Sequence, residues 1–207
     1  RHIAETWFRS APDIMDRDHL DRLTRLAADA THADSIPSLM GMEGAATASH
    51  FGVLRRANRS RLRFSGRSTR PPRDEINAAL SFGYTVLCQE IRATLEVLGL
   101  DPHIGVLHEC VPNRPALALD IVEPFRGLVV DRCVVKAANL NQLKAADFTS
   151  DPDDGFRLQD DARGRFLALL ERRLGSDCPG WLTSSPYWPQ RTIREAIHAR
   201  CIEIARW

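Results

Sequence analysis

The side chains best suited to chemistry are two acids and a histidine on either side of a proline-rich turn. Asp120 and Glu123 are three positions apart in a largely apolar stretch, so a helix would place both carboxylates on one face. Two such carboxylates repel one another unless one is protonated or a cation lies between them. His108 precedes the turn, where its imidazole could reach the first turns of that helix. The pattern therefore predicts either a cation-binding site or a solvent-exposed acidic stripe.

A third acid, Glu43, lies among small and apolar residues that offer a carboxylate no partner. Carboxylates together with one imidazole favour Mg²⁺ or Mn²⁺, whereas structural zinc sites are rich in thiolates. The five cysteines include no C-x-x-C pair, so a zinc site of that kind is not expected. Glu43 and His108 are far apart in the chain, and a lone histidine is more often structural than a ligand. Only the fold can bring them together.

The basic residues are concentrated in one stretch of the chain. Residues 55–73 carry eight arginines and no acid, so this segment has a charge of +8 while the rest of the chain carries −7. Guanidinium groups suit bidentate contacts with phosphate, which favours a segment that binds a polyanion over a merely solvated run of charge. The predicted DNA-binding residues are Arg55, Arg56, Arg59, Arg61, Arg63, Arg67, Arg70 and Arg73.

Helical periodicity positions these residues. Apolar side chains recur at spacings of three and four through most of the chain, and no long stretch alternates at period two. Asp74 is a suitable N-cap and Gly99 a suitable C′ residue for one long helix. We therefore predict one all-α domain over residues 1–207, with a strand of a small hairpin at 156–158. The predicted helices are 14–32, 35–54, 74–98, 102–108, 115–137, 163–174 and 192–206.

Composition excludes several classes of protein. With 207 residues, 43% of them hydrophobic and 27% charged, the chain is neither disordered nor collagen-like. No apolar run approaches the ~18–20 residues of a membrane span. An odd number of cysteines suits a reducing compartment, so we expect a cytoplasmic protein with no membrane association. The first residue is Arg rather than Met, which predicts an internal start, so the chain could be a fragment of a longer protein.

Four linked motifs occur in an order typical of one family. The sequence resembles the CRISPR-associated spacer-acquisition integrases, and weaker likeness continues to Glu171, over nearly the whole chain. The motifs are Met42-Glu-Gly-Ala-Ala46, Arg70-Pro-Pro-Arg-Asp-Glu-Ile-Asn77 continuing to Tyr84, Gly99-Leu-Asp-Pro102 with Gly105-Val-Leu-His108-Glu109, and Arg114-Pro-Ala-Leu-Ala-Leu-Asp120-Ile-Val-Glu123-Pro-Phe-Arg126.

The resemblance implies a fold and an activity. The fold would be the family's multi-helix catalytic lobe, without the small N-terminal β-domain that normally precedes it. The activity would be that of a divalent-metal-dependent endonuclease and integrase, which inserts short DNA spacers into a CRISPR repeat array by transesterification from a 3′-hydroxyl. Glu43, His108 and Glu123 would hold Mg²⁺ or Mn²⁺ with Asp120 adjacent, and all four would be catalytic. His108 could be a ligand or a general base.

The resemblance also implies partners. These are the prespacer duplex, the CRISPR repeat, a homodimer formed largely through the N-terminal β-domain, and a small CRISPR-associated bridging subunit. Two departures from the usual pattern occur, His50 before Phe51 and Cys88 in place of a frequent tyrosine. Two other functions share part of the pattern: a casposase-type transposon integrase, which would differ mainly in its target, and a catalytically silent DNA-binding or assembly module.

Overall fold

A computed structural model describes residues 17–182 and 191–206. Within these ranges the regular elements are helices apart from one short β-hairpin. The predicted all-α class is therefore confirmed. The α-helices are α1 (Arg17–Ala30), α2 (Ile36–Ala57), α3 (Glu75–Val97), α4 (Ala116–Arg126), α5 (Arg132–Asn139), α6 (Asp160–Leu174) and α7 (Ile193–Ala205). A π-helical turn, Gly127–Asp131, joins α4 to α5, and 3₁₀ turns lie at Ala145–Asp147 and Gly180–Leu182. The hairpin pairs β1 (Phe148–Asp151) with β2 (Gly155–Leu158) in antiparallel register.

The central element of the core is α3. The Asp74 side chain accepts a hydrogen bond from the Asn77 N–H at 2.8 Å and caps the helix as predicted. The helix ends just before Gly99, whose φ of +76° suits glycine. Four helical elements and β2 pack around α3, namely α4, α5, α7 and the π-helical turn. Its inward side chains are at most 1% exposed: Ile76, Leu80, Leu87, Ile91 and Leu95.

The helix that carries Glu43 is α2. Ser35 accepts a hydrogen bond from the Ser38 N–H, and a proline lies in the first turn, so the start agrees with the sequence. The helix continues to Ala57, one turn beyond the predicted end. Arg55 and Arg56 therefore belong to its last turn, where cations interact favourably with the helix dipole.

A single helix was expected from 115 to 137, but α4 and α5 are separated by the π-helical turn. Pro124 lies inside α4 and has no N–H to donate along the helix. The turn packs closely on α3: a Cβ built on Gly83 would lie 2.5 Å from Val130 Cγ1. Only glycine fits at that point of α3, so the sequence of α3 sets how closely the π-helical turn approaches.

Two boundaries predicted from the sequence are wrong. No helix forms at 102–108, because the N–H groups of Val106, Leu107 and His108 donate to the Asp120 carboxylate instead of to a helical ladder. The sixth helix begins at Asp160 rather than 163. Residues 14–16 of the first predicted helix lie outside the described residues, as do residues 183–190 between the last two predicted helices. None of the helices described is both long enough and apolar enough to cross a membrane.

Candidate active site

Asp120 folds the loop before α4 back onto that helix. Its carboxylate accepts three backbone hydrogen bonds, from Val106 at 2.7 Å, Leu107 at 3.0 Å and His108 at 3.1 Å. It also accepts one from the His108 ring, with Nδ1 at 2.6 Å. The loop therefore has its conformation fixed by one side chain of the helix that follows it. This is how the proline-rich turn brings His108 to α4.

These hydrogen bonds decide the charge of Asp120 and the tautomer of His108. Burial acts to raise the pKa of Asp120, but the donors from Leu107, His108 and Val106 outweigh it and hold that pKa below the ordinary value. Asp120 is therefore an ionised acceptor, so His108 Nδ1 carries the hydrogen. The lone pair then lies on His108 Nε2, the nitrogen that is free to bind a cation or to accept a proton.

Glu123 lies one helical turn beyond Asp120 and is about 29% exposed. Its carboxylate pairs with Arg126 at 2.8 Å. Burial raises the pKa of Glu123, and the charges of Glu43 and Asp120 raise it further, while Arg126 and His108 act in the opposite direction. The fold therefore brings Glu43 of α2 within electrostatic reach of Glu123. Glu43 itself is exposed and accepts a hydrogen bond from Thr47 at 2.9 Å.

The four predicted site residues thus form one electrostatic cluster, which we call the carboxylate cluster: Glu43, His108, Asp120 and Glu123. Its donors, carboxylate oxygens and one imidazole nitrogen, are those that suit Mg²⁺ or Mn²⁺. The hydrogen bond from His108 Nδ1 to Asp120 also matches the way metal-binding histidines are usually oriented. Even so, within 17–182 and 191–206 no three His, Cys, Asp or Glu side chains stand in a metal-binding arrangement. The donor chemistry fits a cation, and Glu123 currently pairs with Arg126 instead.

A second polar group lies deeper, and no local sequence pattern indicates it. Asp131, 1% exposed at the end of the π-helical turn, accepts a hydrogen bond from the Tyr84 hydroxyl at 2.5 Å. Its other oxygen lies 2.6 Å from His50 Nε2. Burial and the nearby Asp131 charge raise the pKa of Tyr84 well above its ordinary range, so its hydroxyl stays protonated and donates. His50, one of the two departures noted in the sequence, is thus tied to a buried acid.

Two arginines contact the Tyr84 ring. Arg67 lies 5.3 Å and Arg126 5.0 Å from the ring centroid, close enough for cation–π attraction. Arg126 connects this group to Glu123, yet its Nε is buried and has no hydrogen-bond acceptor among the described residues. A buried guanidinium nitrogen without an acceptor, beside the carboxylate cluster, is suited to an incoming anion. No role was predicted for Arg126 from the sequence, although it lies three residues after Glu123, the spacing of an ion pair along a helix.

Together α4, the π-helical turn and α5 form one continuous rod, which we call the α4–α5 rod. Three interactions along its length indicate that α2 runs parallel to it. Glu43 interacts electrostatically with Glu123, and His50 contacts Asp131. At the far end the Asn139 side chain donates to the Ala57 carbonyl at 2.9 Å and accepts from the Arg59 N–H at 2.8 Å. The carboxylate cluster therefore occupies one end of this helix pair.

The predicted arginine segment divides into two kinds of residue. Arg63 pairs with the buried Glu75 at 3.0 Å and lies 4.9 Å from the Phe156 ring centroid. Arg67 donates to Asn77 at 3.0 Å and to Ser81 at 3.1 Å. These two arginines stabilise the fold of the segment, which the sequence did not indicate. The other six are exposed: Arg55, Arg56, Arg59, Arg61, Arg70 and Arg73.

The chain is similar to known proteins over most of its length. The sequence model of the family described as CRISPR associated protein Cas1 matches residues 5–172. A curated relative, CRISPR-associated endonuclease Cas1 2 of Rhodospirillum rubrum, is 40% identical over 173 residues, which cover 80% of this chain and 49% of that protein. The chain spans about half the length of that relative.

Solved structures share the fold. The partial Cas6-RT-Cas1–Cas2 complex contains a chain that matches 99% of this one at 28% identity and a TM-score of 0.83, over 60% of its own length. A casposase bound to its integration product matches 91% of this chain at 24% identity and a TM-score of 0.76, over 55% of its own length. At that level of identity the second likeness concerns the fold alone.

Proposed function

The chain belongs to the CRISPR-associated Cas1 family, and from this membership we propose that it is a DNA integrase acting on a CRISPR repeat. Its matched relative is named an endonuclease, which supports a nuclease-type enzyme. The reaction we propose is strand transfer from the 3′-hydroxyl of a short DNA duplex. The observation that carries the proposal is the carboxylate cluster, in which Glu43, His108 and Asp120 all act on the pKa of Glu123.

We assign the divalent cation to Glu43, His108 and Glu123. When bound, Mg²⁺ or Mn²⁺ supplies Lewis-acid polarisation of a phosphoryl oxygen and favours ionisation of an attacking hydroxyl. Glu123 has a raised pKa because it is half-buried near two other acids, and a cation would relieve that repulsion. Asp120 holds the His108 ring so that Nε2 faces away from Asp120.

In the proposed reaction the 3′-oxygen of the spacer forms a new bond to phosphorus as the bond to the repeat strand breaks. The proton of the attacking hydroxyl passes to His108 Nε2 or to water, and the repeat strand leaves as a 3′-oxyanion that takes up a proton from water to become a 3′-hydroxyl. One phosphodiester replaces another, so no covalent protein intermediate is needed. Arg126, whose Nε is buried without an acceptor in the described part of the chain, would bind the phosphoryl oxygen on which negative charge increases.

Binding and partners complete the proposal. The exposed arginines between 55 and 73 would contact the phosphate backbone with little base specificity. A structural neighbour is part of a complex named for Cas2, which supports the small bridging subunit as a partner here. Two-end integration needs two active sites, so we propose a homodimer of the full-length protein. Five free thiols suit the reducing cytoplasm.

The test is strand transfer from a labelled duplex into a plasmid that carries a CRISPR repeat, with Mg²⁺ or Mn²⁺ supplied. Glu123→Gln keeps the size of the side chain but removes its charge, and we expect it to lose strand transfer while retaining DNA binding. A wild-type chain that binds DNA but never joins or cuts it under these conditions would favour the silent module. Equal joining into a plasmid without a repeat would favour the casposase-type target instead.

A further inference from the structure

A second cluster of charge, all of it positive, lines a cavity of about 550 Å³ near the ends of α2 and α5 that lie opposite the carboxylate cluster. We call it the cationic cavity. No Asp or Glu of the described ranges lines it. The cations come from three separate parts of the chain: Arg59, Arg132, Lys136, Arg172 and Arg173.

These charges are close together, and three of them are not compensated by any acid of the described chain. Arg132, Lys136 and Arg172 form no ion pair with any acid that the structure describes. Burial, and after it the charge of Arg132, lowers the pKa of Arg173. Positive groups that face one another without acids destabilise a folded chain unless an anion joins them. An anion from outside the chain would therefore account for this cluster.

Part of the cavity has a fixed shape. Arg173 Nε donates to the Leu128 carbonyl at 2.9 Å, and its terminal nitrogen donates to Ser176 Oγ at 3.1 Å. The Asn139 contacts described above hold Arg59 and the end of α2 against α5. Aliphatic side chains, Val135 and Leu169 among them, complete the lining. A binding site formed in advance costs less to occupy than one assembled on binding.

The distance to the carboxylate cluster limits what the ligand can be. An α-helix rises 1.5 Å per residue, so Ala57 lies about 20 Å along α2 from Glu43. DNA rises 3.4 Å per base pair, so this distance corresponds to about six base pairs. We infer that the cationic cavity binds backbone phosphates of the same DNA, about six base pairs from the phosphodiester or 3′-end at the carboxylate cluster. This inference rests on the proposed function.

The chemistry favours DNA over an acidic polypeptide. Four of the five cations are arginines, whose planar donors match phosphate oxygens in pairs. Arg59 also belongs to the arginine segment, so the cavity continues that predicted DNA path onto α5 and α6. Among the residues that the structure describes, the lining includes no aromatic ring on which a base could stack. Contact with the backbone, without base recognition, is therefore expected.

The test is DNA binding by the 207-residue chain, measured by fluorescence anisotropy at several salt concentrations. The variant combines Arg132→Gln, Lys136→Gln and Arg172→Gln. The control combines Arg157→Gln, Arg163→Gln and Arg200→Gln, which removes three positive charges from exposed i,i+3 ion pairs elsewhere. Two hairpin-capped duplexes serve as probes, one extending about ten base pairs from the 3′-end and one extending only about four.

We expect the cavity variant to bind the longer duplex about 10- to 100-fold more weakly at physiological salt, with a log–log salt slope smaller by about two to three. Affinity for the shorter duplex should change far less, because it does not reach the cavity. The control should behave like the parent. If the triple variant unfolds, Arg172→Gln alone, on the exposed face of α6, should still reduce the slope by about one.

Equal losses for both duplexes, or equal losses in the cavity variant and the control, would overturn the inference. So would loss of binding to a poly-glutamate probe with an unchanged DNA slope, which would assign the cavity to an acidic polypeptide. Strand transfer by the unaltered chain separates the two proposals. If it fails while the length-dependent loss is seen, the proposed function is wrong and the cavity assignment stands.

Discussion

The two ends of the helix pair formed by α2 and the α4–α5 rod carry opposite charge. One end holds Glu43, Asp120 and Glu123, where acids crowd together. The other end leads to a cavity lined by five cations and no acid of the described chain. Both are costly for an isolated fold, because like charges repel in each. Each end is therefore suited to a ligand of opposite sign, a cation at the first and phosphates at the second.

The two ends differ in how they are built. At the acidic end most groups already have partners, since Asp120 accepts four hydrogen bonds and Glu123 pairs with Arg126. At the basic end the Arg173 side chain donates two hydrogen bonds, whereas Arg132, Lys136 and Arg172 form no ion pair with an acid of the described chain. Geometry is thus specified where a reaction requires it. Binding to a repeating backbone tolerates more mobile side chains.

The largest effect should come from the acidic end. Glu43→Gln removes one carboxylate with little change of shape, and we expect strand transfer at saturating DNA to fall at least about 10³-fold. The Kd for DNA should stay within about twofold, because no phosphate contact is removed. Glu96→Gln, in an exposed i,i+4 pair with Arg92, is the control and should leave both unchanged. If Glu43→Gln weakened DNA binding by the same factor as it slowed strand transfer, the acidic end would not be separate in function from the DNA-binding end.

Asp120→Asn tests whether this acid orients His108. The amide cannot accept from both ring and backbone as well as a carboxylate does, so we expect activity to fall about 10- to 100-fold. Stability should fall by about 1–3 kcal/mol, because the backbone and ring donors of the loop lose hydrogen bonds to a charged acceptor. Strand-transfer rates and thermal unfolding measure the two effects.

The matched control for Asp120 is Asp101. It accepts from the His103 N–H at 2.9 Å and lies 3.0 Å from His103 Nδ1, the same pattern at an exposed position. Asp101→Asn should leave activity unchanged. An equal loss of activity in both variants would show that the effect of Asp120 reflects a general loss of structure.

Gly83→Ala tests the connection between the two ends. The added methyl would lie 2.5 Å from Val130 Cγ1, so α3 or the π-helical turn must shift. We expect a loss of about 1–3 kcal/mol, which for a chain of this size lowers Tm by a few degrees per kcal/mol. Gly164→Ala in α6, whose Cβ would meet nothing within 4 Å, should be neutral or slightly stabilising. Equal Tm values for the two variants would contradict the close approach.

The smallest effect concerns an arginine held by an acid. Although burial acts to raise it, the hydrogen bonds from Arg63 keep the pKa of Glu75 below 4.5. A lowered carboxyl pKa stabilises the fold above the ordinary value, and this contribution disappears as pH falls through the lowered one. Glu75→Gln should therefore reduce Tm by about 2 °C or less at pH 7. The difference from the parent should begin to shrink as pH falls through 4.5 and should vanish once pH is below the lowered pKa, as thermal melts at several pH values would record.

Much of this arrangement could be predicted from local pattern. The caps at Ser35 and Asp74 and the glycine end of α3 depend on neighbouring residues only, so the sequence identified them. The acids of α4 also share a face because of helical spacing alone. Such features need no knowledge of the fold.

What the sequence could not predict depends on contacts between distant segments. The local pattern at 102–108 predicts a helix, but three N–H groups of this segment donate to the Asp120 carboxylate instead of to helical carbonyls. The buried position of Asp131 could not be predicted, because its partners His50 and Tyr84 lie far away in the chain. The cationic cavity joins Arg59 to residues of α5 and α6, which no single window contains. The resemblance to a family supplied the link between Glu43 and His108 that spacing could not.

The π-helical turn lies between Glu123 and Arg132. Its length therefore sets both the distance between the two ends and the angle about the helix axis between their side chains. Each residue of an α-helix turns the next by about 100° around the axis. Deleting one residue from Gly127–Asp131 would leave both ends with all their side chains but would rotate one relative to the other by about that angle. Arg132 and Lys136 would then face a different neighbour. Substitutions at either end can be tolerated singly, whereas the number of residues between the ends is constrained by both together.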